Sequence, residues 1–218
     1  MKLVSKLLMM IALAAMLVPA ATADTISGTC SLGSFAGTID YVANTSTSAT
    51  LTITLENTSP AANGGYITAF VLNNPGGITG ASLTTSSGTW NLLLAADSVN
   101  GAPYGQFDIG ASTGSSFEGG GNPNKGIAVG DSVTFTFTFS GSNLDTLSTA
   151  NFLSTVSTGT GSGQGYEEFV VRFRGFEDGG SDKVPGTPGS PVPEPASLLL
   201  MGTGLTTLAG IVRRKVAK

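Results

Sequence analysis

The sequence predicts an all-β fold, an antiparallel β-sandwich of jelly-roll or immunoglobulin/cohesin-like type, on three observations. Between Asp24 and about Asp178 apolar residues recur with period two, and no helical stripe is sustained. Clusters of Gly, Asn, Pro and Ser break those runs at short intervals, as turns between strands do. Charged residues are only 11% of the chain and hydrophobic ones 40%, so the middle escapes the low-hydrophobicity, high-charge signature of disorder and carries enough Val, Ile, Leu and Phe for one core.

In chain order, the first expected strand runs from Phe35 to Val42. Leu51, Ile53 and Leu55 then alternate with Thr50, Thr52 and Thr54, which gives a strand with one apolar and one hydroxylated face. Tyr66–Leu72 follows, closed by the turn sequence Asn73-Asn74-Pro75-Gly76-Gly77. Thr89–Leu94 and Gln106–Ile109 are further candidates. Val133, Phe135, Phe137 and Phe139 alternate with Thr134, Thr136 and Thr138 in the clearest strand of the chain, preceded by a turn-then-strand phrase at Ile127–Ser132 similar to one in bacterial cohesin-like sandwiches. Leu144, Leu147 and Phe152 predict a short helix over 144–156, weakened by Ser and Thr. In the last strand Phe169, Val171 and Phe173 oppose Arg172 and Arg174. Strands with one apolar face each suit two sheets packed on one another. Residues 179–191, rich in Gly, Pro and Ser, are expected to be a linker or stalk.

Charge and residue usage exclude several functions. The formal net charge is −4, and six of the ten Lys/Arg lie in the tails: Lys2, Lys6, Arg213, Arg214, Lys215 and Lys218. Only Lys125, Arg172, Arg174 and Lys183 remain between them, too few to neutralise a run of phosphates, so no nucleic-acid partner is expected. There is no histidine, which removes Ser-His-Asp and Cys-His catalysis and His-based zinc sites. The single cysteine, Cys30, forbids an internal disulfide and is expected as a small buried apolar side chain, with intermolecular pairing as the alternative.

The two ends read as addresses. Lys2 and Lys6, an apolar run from Leu7 to Val18 and the small-x-small triplet Ala21-Thr22-Ala23 make residues 1–23 a secretory signal peptide, cleaved so that the mature chain begins at Asp24. At the other end Pro193-Glu194-Pro195 precedes an uncharged stretch, 196–212, and then Arg213-Arg214-Lys215. As a helix those 17 residues would rise about 25 Å, the short end of a membrane span, with the basic cluster on the cytoplasmic side. The ordered combination over 192–218 resembles the PEP-CTERM sorting signal. The resemblance implies processing by an exosortase near the triplet, a membrane-anchored precursor with its domain outside the cytoplasm, and delivery to the cell surface or an exopolysaccharide-rich matrix. Signal peptidase and exosortase are then the expected processing partners, with exopolysaccharide as a further one.

The expected domain, 24–178, shows little that reads as chemistry, and no cofactor and no catalytic residue is expected. Glu167 and Glu168 stand next to each other and should point to opposite faces; Asp40, Glu56, Asp97, Asp108, Glu118, Asp131 and Asp145 show no paired spacing. The run Glu177-Asp178-Gly179-Gly180-Ser181-Asp182 is a weak calcium candidate through Asp178 and Asp182, without EF-hand spacing. Tyr41, Tyr66, Trp90, Tyr104 and Tyr166 are candidates for a sugar-stacking platform. The expectation is therefore a non-catalytic structural sandwich, with a carbohydrate- or calcium-binding module as the alternative and a carboxylate-dependent polysaccharide hydrolase behind it.

Overall fold

A computed structural model describes residues 23–119 and 121–189. The body of the expected signal peptide and the expected transmembrane helix at 196–212 lie outside the described residues, among which no helix is long and apolar enough to cross a membrane. Eleven strands are described: β1 Asp24–Thr29, β2 Ser34–Thr45, β3 Ser48–Asn57, β4 Gly64–Leu72, β5 Ile78–Thr85, β6 Asn91–Asn100, β7 Gln106–Ser112, β8 Ser132–Gly141, β9 Phe169–Phe176, β10 Ser181–Pro185 and β11 Thr187–Pro188. They form two antiparallel sheets, β11-β1-β2-β3-β8-β5 and β10-β9-β4-β7-β6.

The inner face of the first sheet follows from strand alternation. Leu51, Ile53 and Leu55 of β3 stand opposite Phe137, Phe135 and Val133 of β8, and Ile39 and Tyr41 of β2 flank them. The second sheet answers with Phe70 of β4 and Phe169, Val171 and Phe173 of β9, all buried. Phe70 is the interlock: its ring meets Phe135 edge-on at 4.7 Å and stacks on Phe169 at 5.5 Å.

The second sheet is buried on its outer face too. A register irregularity between Ile67 and Ala69 inserts one residue into β4. The parity of the strand changes there, so Ile67 and Phe70 both enter the main core while Ala69 and Val71 turn outward. They join Leu93, Val99, Tyr104, Phe107, Phe117 and Val170 in a second, smaller core.

Several expectations are corrected. Residues 181–188, expected inside the 179–191 linker, form β10 and β11, because Val184 is fully buried and Asp182 and Lys183 are hydrogen-bonded into the domain. The helix expected over 144–156 is a 3₁₀ turn at Leu144–Thr146 and one helical turn, α1, at Thr149–Phe152. Leu147 is extended between them, and Ser148 caps α1 with Asn151. β1 and β5 were not expected at all. Cys30 is exposed rather than buried, at the end of β1.

Candidate functional site

Three parts of the domain bear on function: the expected calcium carboxylates, the expected aromatic platform, and the route by which the chain leaves the sheets towards its C-terminal segment.

Asp178 and Asp182 serve local backbone structure. An Asp178 carboxylate oxygen accepts from Gly180 N at 2.7 Å, closing the turn between β9 and β10. Asp182 Oδ2 accepts from Leu32 N and Gly33 N at 3.1 and 3.3 Å, tying β10 to the β1–β2 turn. Among the described residues no group of three or more carboxylate or thiol side chains is placed to hold a metal ion. The Asp108 carboxylate serves backbone as well, Oδ1 accepting from Asp97 N at 2.6 Å and Oδ2 from Asn74 N at 2.7 Å, while the Asp97 carboxylate accepts from Thr158 Oγ1. Asp97 sits at positive φ, 49°, in the irregular stretch of β6. Glu167 lies just before β9, and partial burial, with the charge of Glu168 beside it, holds its carboxyl above the usual range.

The five candidate aromatics are dispersed. Tyr41 is buried and donates to Leu144 O at 2.8 Å; Tyr104 is buried in the smaller core; Trp90 packs edge-on against Phe135 at 4.8 Å. Tyr66 is half-buried beside the irregular stretch of β4, and Tyr166 alone of the five is exposed. They do not line up as a stacking surface.

The broad polar surface is the outer face of the first sheet. Thr50, Thr52 and Thr54 of β3 stand opposite Thr138, Thr136 and Thr134 of β8, with Ser82 and Thr84 of β5 beyond. Sheet geometry sets these hydroxyls about 4.8 Å apart across strands and about 6.8 Å along them. Thr54 and Thr134 share a hydrogen bond of 2.9 Å. The block formed by β3, β8 and β5 carries no charge within these rows, and Asp40 of β2 marks its side.

The route out is unexpectedly ordered. β10 is fixed to β9 by charge: Glu118 reaches Arg172 Nη1 at 3.0 Å and also pairs with Lys183, whose ammonium bonds to Ala102 O as well. Burial pushes the Arg172 guanidinium below its ordinary value, opposed by the Glu118 charge. Arg172 Nε and Arg174 Nη1 are buried without hydrogen-bond partners among the described residues. Tyr104 Oη and Cys30 Sγ both donate to the Lys183 carbonyl. Gly186 then carries the chain from one sheet to the other: its N–H donates to Phe169 O at 2.8 Å, and a Cβ there would lie 2.8 Å from Ile26 Cδ1. β11 pairs with β1, Thr187 opposite Ser27 and Pro188 opposite Ile26, and Gly189 N donates to Thr25 O at 2.8 Å. Sequence reasoning missed this because Thr187 and Pro188 bury nothing and carry no period.

Of the expected processing residues, Ala23 and Asp24 are described, at the head of β1; Ala21, Pro193, Glu194, Pro195, Arg213, Arg214 and Lys215 lie outside the described residues. Comparison with curated proteins and with solved structures found no match to the chain. A family model described as the PEP-CTERM protein-sorting motif matches residues 191–215, starting two residues beyond Gly189. Such a motif implies an exported precursor processed by exosortase. The chain carries an all-β domain of two antiparallel sheets followed by a PEP-CTERM protein-sorting motif.

Proposed function

We propose that this protein is an exported, exosortase-processed component of the bacterial surface or extracellular matrix, whose sandwich is structural and non-catalytic. The sorting motif at 191–215, placed directly behind an ordered domain, carries the reading. Alternation of consecutive strands between the sheets, β3 to β4 to β5 to β6 and β7 to β8 to β9, supports a jelly-roll or cohesin-like form of the sandwich. The leader is removed at Asp24 by signal peptidase, and the tail, with its helix at 196–212, anchors the precursor until it is processed. Fractionation of cells with and without exosortase, with the mass of the mature C terminus, tests the assignment. Unchanged surface delivery and an intact C terminus in both strains would refute it.

A second reading, contact with neutral exopolysaccharide, is favoured by the threonine face. An uncharged array of hydroxyls and methyls on a domain with few cations suits a hydroxylated neutral polymer better than a polyanion. Retention of the domain on neutral polysaccharide, lost in a Thr52→Lys/Thr136→Lys variant, is the expected result; equal retention of both would discard it. Calcium and hydrolase chemistry find less support, since the carboxylates of Asp182 and Asp108 are spent on backbone N–H groups.

A further inference from the structure

We propose that β11 is a releasable strap, and that its pairing with β1 sets how fast the sorting motif is processed. The inference rests on exosortase processing near Pro193-Glu194-Pro195. Four Cα-to-Cα steps separate Gly189 from Pro193, a reach of at most about 14 Å at full extension. A protease takes its substrate as an extended chain whose backbone groups bond to the enzyme. With β11 docked, the backbone up to Gly189 is already bonded to β1, and at most about 14 Å of chain remains before the triplet begins.

The two exit strands differ in how firmly they are held. β10 buries Val184 and is fastened by Asp182 to the β1–β2 turn and by Lys183 to Glu118. β11 is two exposed residues held by backbone pairing to Ile26 and Ser27, with the Gly189–Thr25 bond behind it. Unpairing therefore runs back from Gly189 and stops at the Gly186 crossover. Releasing 186–189 doubles the free spacer, from about 14 Å to about 27 Å between Pro185 and Pro193. The glycines make the strap sensitive to small changes: a Cβ on Gly189 would lie 2.2 Å from Thr25 Oγ1.

The test uses the full precursor incubated with exosortase-bearing membranes, following the mature form with time. In a Cys30→Ser background, Ser27→Cys with Thr187→Cys places two thiols on directly opposed residues, so the same protein is compared oxidised and reduced. The expected result is processing at least threefold slower when oxidised, restored by reductant or by ten Gly/Ser residues inserted after Gly189. Gly189→Ala, which loosens the strap without a cross-link, is expected to be processed faster than wild type, and its measurement stands if the cysteine pair does not fold. Equal rates for the oxidised and reduced forms, or a Gly189→Ala precursor no faster than wild type, overturn the proposal. A wild-type precursor left uncut by these membranes refutes the exosortase reading itself, and the strap with it.

Discussion

Replacing Phe70 by alanine tests whether one ring holds the two sheets together. Phe70 is fully buried, meets Phe135 at 4.7 Å and Phe169 at 5.5 Å, and lies 6.1 Å from Phe137, so both sheets lose contacts when it is removed. A buried Phe→Ala change costs about 3–5 kcal/mol in lost transfer energy and cavity. Aromatic pairs add about 0.5–1.5 kcal/mol each beyond burial, part of which is already inside that range. We expect Phe70→Ala to lose about 4 kcal/mol, a large fraction of the stability of an ordinary domain, and to lower Tm by about 8–16 °C. The control is Val71→Ala on the other face of the same strand, which opens only the smaller core and should cost about 2 kcal/mol. Urea unfolding followed through Trp90, the single tryptophan and itself packed on Phe135, reads both variants. An unchanged m-value with the midpoint shifted is the expected form. A Phe70→Ala loss below about 1 kcal/mol, or one no larger than that of Val71→Ala, would refute the interlock.

Three further outcomes follow from polar groups. Glu118→Gln strips Arg172 and Lys183 of their shared carboxylate; because Glu118 is 42% exposed, solvent screening reduces the cost to about 1–2 kcal/mol, and thermal melts of wild type and variant should converge in molar salt. Asn57→Ala takes the side-chain donor from the carbonyls of Gly65 and Ile127, the latter still accepting from Ile67 N, and takes the acceptor from the N–H of Ser59, and a loss of about 2–3 kcal/mol is expected by chemical denaturation. Glu167 has its folded pKa above the unfolded one, so its protonated form favours folding and stability is lost as pH rises through the folded value. Glu167→Gln should therefore melt higher than wild type at pH 7–8, with the gap closing as pH falls below the ordinary glutamate range; a gap that widened on acidification would contradict this.

How much could be read in advance depended on what each strand buries. β3, β8 and β9 pack one face into the shared core, so their alternation was plain in Leu51–Leu55, Val133–Phe139 and Phe169–Phe173. β5 buries only Ile78 fully and β1 only Ile26, so neither shows a period; each exists because a neighbour, β8 or β2, offers it an open edge. β4 was expected as a strand, but its change of parity at Thr68 depends on the register with β9 and is invisible in Tyr66–Leu72 alone. Leu144, Leu147 and Phe152 fall near one helical face, the signal for a helix over 144–156; Leu144 and Phe152 are both buried, but Leu144 belongs to a 3₁₀ turn and Phe152 to α1, where it stacks on Phe139. The exit through β10 and β11 was hidden by composition: Gly, Pro and Ser mark a flexible tether in isolation, whereas Val184, Asp182 and the Gly186 crossover find partners only in the folded domain.

Because Thr25 and Gly189 are joined by a backbone hydrogen bond, the chain enters and leaves the domain at one corner, and the folded unit is nearly a closed ring. A few residues bridging Gly189 to Asp24 would complete that ring, and fresh ends opened at the exposed 86–89 loop between β5 and β6 would yield a circular permutant with the same sheets. Fusions joined at Asp24 or at Gly189 start from the same corner, at the β11–β1 edge and separated by β2 from the threonine rows of β3, β8 and β5.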